Sequence, residues 1–197
     1  MKAPFGVILA GGQSSRMGGG DKCLLELGGM SILEHVAERL SPQVAEMALN
    51  ANGKAERFAP FGLSVVPDSV DGFAGPLAGV LAGLDWAAEN GGQSIVTAAA
   101  DTPFFPADLV PNLLLAGEGM EAPLVLATSD NGRHPTFGLW PVSLRHDLRA
   151  ALEVGIRKVV QWTDSHNGRT AHFHGMDPDP FFNINTPEDL AQAKQWL

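Results

Sequence analysis

Short apolar runs and longer amphipathic stretches alternate along most of the chain. Runs of strand length occur at Phe5–Leu9, Val44–Leu49, Leu63–Val66, Ile95–Ala99 and Leu124–Ala127. Apolar runs of this length bounded by turn residues read as buried strands. Helical patterns separate most of them. Ser31 followed three residues on by Glu34 has the form of a capping box, and Ile32, Leu33, Val36, Ala37 and Leu40 share one helical face. Two further helices are predicted from about Pro76 to Glu89 and from about Pro106 to Leu115. Near the end, Thr186 can cap and Pro187 suits the first helical position. Glu188 and Asp189 favour the positive end of the helix dipole, ahead of Leu190, Ala191, Ala193 and Leu197. Strands alternating with helices predict an α/β fold with a mostly parallel sheet.

After Leu124–Ala127 the pattern loosens. "HPTFGLWP" (His134–Pro141) reads as a strand, and Leu144–Leu152 and Lys158–Trp162 as shorter helices. No tandem repeat, low-complexity tract or linker divides the 197 residues, a length that suits one domain. The segment from about Asp130 to Asn183 is the candidate for a small lobe. The formal charge of -9 leaves no diffuse positive surface for nucleic acid or an anionic membrane, so any anion site must be built locally. A single cysteine, Cys23, precludes an internal disulfide, and neither a secretory leader pattern nor a membrane-length apolar run is present. A soluble, cytoplasmic protein is expected.

The densest local chemistry lies in "LAGGQSSRMGGGDK", Leu9–Lys22, with five glycines, Arg16 and Lys22. It follows the first strand at the carboxyl edge, where ligands bind in open α/β sheets. Glycines permit φ > 0 and close backbone approach, so successive N–H groups can cradle phosphate oxygens. A planar guanidinium and a lysine point charge then suit a polyphosphate. The stretch is neither a Walker A loop, since Lys22 follows Asp21, nor a dinucleotide G-x-G-x-x-G. Phosphate binding is favoured over a mere surface turn.

This stretch resembles the signature of the molybdenum cofactor guanylyltransferases, the MobA-like nucleotidyltransferases. The resemblance continues in "NAN" (Asn50–Asn52), "PD" (Pro67–Asp68), "GPLAG" (Gly75–Gly79), "DTPFFP" (Asp101–Pro106), "HPT" (His134–Thr136), "GIRKV" (Gly155–Val159) and "NINTPEDL" (Asn183–Leu190). The opening signature alone is shared by many nucleotidyltransferases; its combination with "DTP" and "NINTPEDL" is more specific. The resemblance implies a three-layer Rossmann-like nucleotidyltransferase fold, with residues up to about 105 binding nucleotide and the remainder binding molybdopterin. It implies GMP transfer from Mg-GTP to the terminal phosphate of molybdenum-molybdopterin, with release of pyrophosphate. Mg2+ is the implied cofactor, and acceptor molybdoenzymes or cofactor chaperones are further partners it allows. A cytidylyl version of the reaction stays open, though "LAGG" rather than "LAAG" leans toward guanylyl. So does a non-catalytic carrier, which an intact Arg16, Lys22 and Asp101 set disfavours.

On this reading Arg16, Lys22 and Asp101 are the catalytic candidates, with Asp101 also the metal ligand at the end of the fourth strand run, since a hard carboxylate beside a triphosphate suits magnesium. Leu9, Ala10, Gly11, Gly12, Lys22, Asn50, Asp68, Gly75 and Asp101 form the nucleotide set. Asn50 offers a donor and an acceptor to a base edge; Asp68 either accepts from guanine N1 and N2 or helps hold the metal. His134, Arg157, Lys158, Asn183 and Asn185 are the implied pterin contacts, the two asparagines alternating so that both face one way. No general base is required, because a phosphate monoester is mostly dianionic at pH 7. His172 and His174 share strand spacing, but no third soft ligand lies near them in sequence, so they read as surface histidines. Cys23 reads as a small structural residue.

Overall fold

The opening apolar run forms β1 (Phe5–Leu9), and the remaining strands are laid out on either side of it. The structure, a computed structural model, describes residues 2–11, 21–70, 72, 75–175 and 177–197. After β1 come a small hairpin, β2 (Glu26–Leu27) and β3 (Met30–Ser31), then α1 (Ile32–Leu40), β4 (Met47–Asn50), β5 (Ser64–Val66), α2 (Pro76–Glu89) and β6 (Ser94–Ala99). The second half supplies α3 (Leu109–Ala116), β7 (Val125–Ser129), β8 (Gly132–Pro141), α4 (Arg145–Glu153), α5 (Val159–Ser165), β9 (Arg169–Phe173) and α6 (Pro187–Ala193). Among the described residues, seven strands form one sheet in the order β5-β4-β1-β6-β8-β7-β9. β8 runs antiparallel to β6 and β7, and the other pairings are parallel.

The strands bury both faces, which is why they read as continuous apolar runs. Ile8 of β1 packs with Leu33, Val36 and Leu40 of α1 and Leu109, Val110 and Leu113 of α3 on one side. Phe5 and Val7 pack with Leu81 and Leu84 of α2, Leu148 of α4 and Trp162 of α5 on the other. Helices thus cover both faces of the sheet, giving three layers. The hairpin and α6 meet in a third cluster of Leu27, Ile32, Ile184 and Ala193. The predicted capping box on α1 is formed in both directions: Glu34 N–H donates to Ser31 Oγ at 3.2 Å and Ser31 N–H to Glu34 Oε2 at 2.5 Å. Among the described residues, no helix is long and apolar enough to cross a membrane.

Strand boundaries differ from the sequence pattern where the chain must turn first. The run expected from Val44 enters the sheet only at Met47, because Ser41–Gln43 continue α1 as a 3-10 turn and the Ala45 N–H is taken by Pro4 O. β9 carries exposed Arg169, Thr170 and His172, a polar pattern fitting its place at the sheet's edge. Residues 130–183 contribute β8 and β9 to the same sheet and α4 and α5 to its face. Chain order reverses between β1 and β6, since β4 and β5 lie on one side of β1 and β6 on the other. That switch point opens a crevice at the carboxyl ends of the two strands.

One buried polar contact joins β6 to the antiparallel strand: Trp140 Nε1 donates to Thr97 Oγ1 at 2.9 Å, both residues fully buried. Thr97→Val keeps the shape but strands the indole N–H. We expect a loss of about 1–3 kcal/mol in chemical denaturation. Adding Trp140→Phe should recover part of that loss, and strictly additive effects in the double variant would deny the coupling.

Candidate active site

The crevice at the switch point is a cleft of about 230 Å3. Leu9 and Gly11 line it from β1, Asn50 and Asp68 from the β4 and β5 ends, and Gly75 and Pro76 from the start of α2. Ala99 and Asp101 line it from the end of β6, Thr136 from β8, and Asn183 from the segment before α6. The floor is tied down by backbone: Ala10 N–H donates to Asn50 O at 2.9 Å, and Ala100 N–H to Leu9 O at 3.0 Å.

Lys22, the last residue of the glycine-rich motif, reaches the middle of this edge. Its Nζ lies 2.6 Å from Asp101 Oδ2 and 2.7 Å from Asn185 Oδ1, so two of its three donors meet acceptors from distant parts of the chain. The buried Thr102 hydroxyl stands 3.1 Å from Asp101 Oδ1 and bonds Asn183 Oδ1, while Ile184 N–H donates to Asp101 O at 2.9 Å. The expectation that Asn183 and Asn185 face one way holds, with Ile184 between them buried. Asn185 joins the Lys22–Asp101 pair directly, and Asn183 joins it through the Thr102 hydroxyl. Asn185 is itself positioned by α6: the Asn185 and Thr186 N–H groups both donate to Asp189 Oδ2 at 2.8 Å, and Asp189 N–H returns a bond to Thr186 Oγ1 at 3.1 Å.

On the other side, Asp68 is held by two asparagines. Asn50 Nδ2 donates to its Oδ1 at 2.9 Å and Asn52 Nδ2 to its Oδ2 at 2.8 Å, while Asp68 N–H donates to Asn52 Oδ1 at 2.9 Å. The Asn50 side chain sits under α2 so closely that a Cβ on Gly79 would collide with its amide oxygen and lie 3.0 Å from Leu9 Cδ2. That close approach is why "GPLAG" needs glycine at position 79. Gly75 starts α2 at φ 146°, a region side chains rarely adopt. Arg57, which the pattern did not single out, pairs with Asp21, donates to Asn52 O at 2.6 Å and lies 4.4 Å above the Phe58 ring. It therefore ties the end of the glycine-rich motif to the asparagine pair.

Arg16 and Gly12 lie outside the described residues. His134 bonds Ser129 Oγ at 2.8 Å and stacks on Phe181 with centroids 4.0 Å apart; burial holds its pKa below the ordinary histidine value, so the ring is neutral at pH 7. Arg157 and Lys158 occupy the α4–α5 connection, exposed, with Arg157 donating to Leu152 O and Ile156 O; neither lines the cleft. Burial, then the neighbouring Asp21 charge, pushes the Cys23 thiol up to about 12, which keeps it protonated and inert. Thr136 and Thr102 fall within the "HPT" and "DTPFFP" motifs but outside the candidate site residues. Pairing along β7 jumps from Leu126↔Gly138 to Ala127↔His134, so Pro135, Thr136 and Phe137 leave the ladder on that side; Thr136 lines the cleft while Phe137 stays buried in the core. Pro135 inside an apparent strand was the available signal, since proline cannot donate to a ladder.

Burial works to raise the Asp189 carboxyl, but the Asn185 and Thr186 hydrogen bonds and the Lys22 charge outweigh it and hold it below the ordinary aspartate range. Its folded pKa is depressed, so its contribution is present above the unfolded value and is lost as pH falls through the folded one. Melting temperatures of wild type and Asp189→Asn measured from pH 7 to pH 2 should therefore converge at the acid end. A constant gap would place the effect elsewhere.

Residues 6–169 match the family model described as the MobA-like NTP transferase domain. The chain is 51% identical over 193 residues to the molybdenum cofactor guanylyltransferase of Bradyrhizobium sp. (strain ORS 278), covering 96% of this chain and 91% of that one. It is 49% identical over 197 residues to that of Mesorhizobium japonicum, covering 98% and 95%. Among solved structures, molybdopterin-guanine dinucleotide biosynthesis protein A from Archaeoglobus fulgidus superposes with a TM-score of 0.75 at 25% identity, over 98% of this chain and 97% of that one. The fold is also that of 4-diphosphocytidyl-2C-methyl-D-erythritol synthase from Anaerococcus prevotii, with a TM-score of 0.75 at 16% identity over 99% and 98%. With its cleft at the carboxyl edge built from the same motifs that the sequence announced, the chain belongs to the molybdenum cofactor guanylyltransferase family of MobA-like NTP transferases.

Proposed function

We propose that the protein transfers GMP from GTP to the terminal phosphate of molybdenum-molybdopterin, forming the guanine dinucleotide cofactor and pyrophosphate. The observation that carries this reading is the pairing of Lys22 with Asp101 at one end of a cleft whose other end presents the Asp68 carboxylate between Asn50 and Asn52. A carboxylate accepts only, and the guanine edge offers N1–H and N2–H donors that two acceptor oxygens can receive. Cytosine presents a single donor group beside acceptors, which an ionised Asp68 would repel. The base thus lies toward Asp68, and the triphosphate toward Gly11, Lys22 and Asp101.

An acceptor phosphate oxygen attacks the α-phosphorus, and the bond to the bridging oxygen breaks with its electron pair leaving on pyrophosphate. The acceptor is already a dianion near pH 7, so no side chain has to take a proton. The protein's part is alignment and charge compensation. Lys22 exchanges its Asp101 and Asn185 partners for phosphate oxygens, Arg16 adds a planar cation from the same motif, and Asn183 and Asn185 steady the acceptor side. Asp101, whose carboxylate shares a hydrogen-bonded cluster with Asn183 Oδ1 through Thr102 and Asn185 Oδ1 through Lys22, is the residue that would hold Mg2+, since these are hard oxygens of the kind that cation prefers. A hard divalent cation held at Asp101 would supply positive charge against the leaving pyrophosphate. His134 on β8 and the Arg157–Lys158 pair complete the proposed pterin contacts.

Pyrophosphate release measured with each nucleoside triphosphate, with and without the pterin acceptor, tests this assignment. GTP should be preferred; equal turnover with CTP would remove the guanylyl assignment. Asp101→Asn should melt near wild type yet lose about a hundred- to a thousandfold in transfer rate, the usual cost of one transition-state electrostatic contact. Near-normal, magnesium-dependent activity in that variant would shift the metal to Asp68. The double variant Arg157→Ala, Lys158→Ala should raise the KM for the acceptor and spare GTP binding, and an equal loss in both would place the pair on the nucleotide.

A further inference from the structure

Three side chains that the transfer chemistry does not use converge at the outer edge of the sheet. Ala171 and Phe173 are buried in β9 while His172 and His174 are exposed, so the two imidazoles share one face. Their rings stack with centroids 3.6 Å apart and planes 11° from parallel. The third ligand that the local sequence lacks arrives through the fold. β7 pairs in parallel with β9, Ser129 opposite Phe173, and the turn that follows β7 carries Asp130. Asp130 Oδ1 lies 3.2 Å from His172 Nε2 and 3.4 Å from His174 Nδ1. The three ligand atoms all lie within 4.8 Å of one another.

These separations carry the argument. Bonds of about 2.0–2.1 Å to a tetrahedral zinc ion put neighbouring ligand atoms about 3.3 Å apart. Both nitrogen-to-oxygen distances already match that edge. The carboxylate is also held in place from behind, since Gly175 N–H donates to Asp130 Oδ2 at 3.3 Å and leaves Oδ1 toward the imidazoles. An outer hydrogen bond of this kind orients a metal ligand. Each imidazole directs its lone pair in its own ring plane, so the stacked rings must unstack and turn apart by tens of degrees to aim both nitrogens at one ion, a rotation that exposed side chains can make with little packing resistance.

We infer that Asp130, His172 and His174 form a binding site for a borderline divalent transition metal ion of the zinc class, distinct from the hard-cation site at Asp101. Two imidazole nitrogens and one carboxylate oxygen favour zinc, cobalt or nickel over magnesium or calcium. Three protein ligands leave a coordination position for water or an added ligand. The ion would fasten the β7–β8 turn to the segment leaving β9.

Calorimetric titration of untagged protein with Zn2+, in the presence of excess Mg2+, tests the inference. One zinc per chain should bind, with a rise in melting temperature through preferential binding to the native state. Co2+ in its place should give the visible absorption of a four- or five-coordinate ion. Asp130→Asn and the double variant His172→Ala, His174→Ala, all surface changes expected to melt like wild type without metal, should each weaken zinc at least about tenfold and abolish the thermal shift. Magnesium-dependent guanylyl transfer without zinc should be unchanged in both. Failure of wild type to bind zinc at micromolar concentration, or binding by the double variant as tight as by wild type, would overturn the site whatever the outcome for the transfer reaction.

Discussion

The Lys22–Asp101 ion pair is the contact on which the arrangement of the cleft turns. It joins the end of the glycine-rich motif to the end of β6, and Asn185 brings in the segment before α6, 163 positions away in the chain. A lysine ammonium is a compact, strongly hydrated charge, and partial burial between a carboxylate and an amide oxygen compensates it only while both stay aligned. The alignment is inherited from more rigid elements. Asp101 lies two residues after the β6 ladder and is held by Ile184 N–H on its carbonyl, and Asn185 by the Asp189 carboxylate of the α6 capping box. A helix cap at the far end of the chain thereby sets the geometry around a cation near its beginning.

The cluster around Asp68 follows the same logic with different chemistry. Asp68, Asn50 and Asn52 form a closed set of hydrogen bonds, and Arg57 connects it to Asp21 at the mouth of the motif. Each carboxylate oxygen of Asp68 has one protein donor, so its orientation is set before any ligand arrives. Preorganisation of this sort reduces the cost of ordering side chains on binding.

Much of the fold could be read directly. β1, β6 and β7 are two-face buried and appear as apolar runs, and α1 and α6 announce their starts with caps formed by Ser31 with Glu34 and Thr186 with Asp189. Cleft-lining positions were readable where chemistry coincided with a strand end, as at Asn50, Asp68 and Asp101. What escaped depends on tertiary placement. Arg57 lies in an irregular helical turn with no local mark of its reach to Asp21. Thr136 enters the cleft only because β8 breaks register, and Asp130 meets the two histidines only because β7 and β9 are neighbours in space.

The bulge in β8 also separates two properties that most strands bind together. Gly138 to Pro141 pair with β6 and carry the fully buried Trp140, whereas Pro135 to Phe137 fall outside the ladder on the β7 side. Residues lost or gained within the bulge would alter the cleft wall without shifting the register of the paired segment. The wall formed by Thr136 is thus an adjustable dimension of the cleft, separable from the central strands that carry Leu9, Asn50 and Ala99.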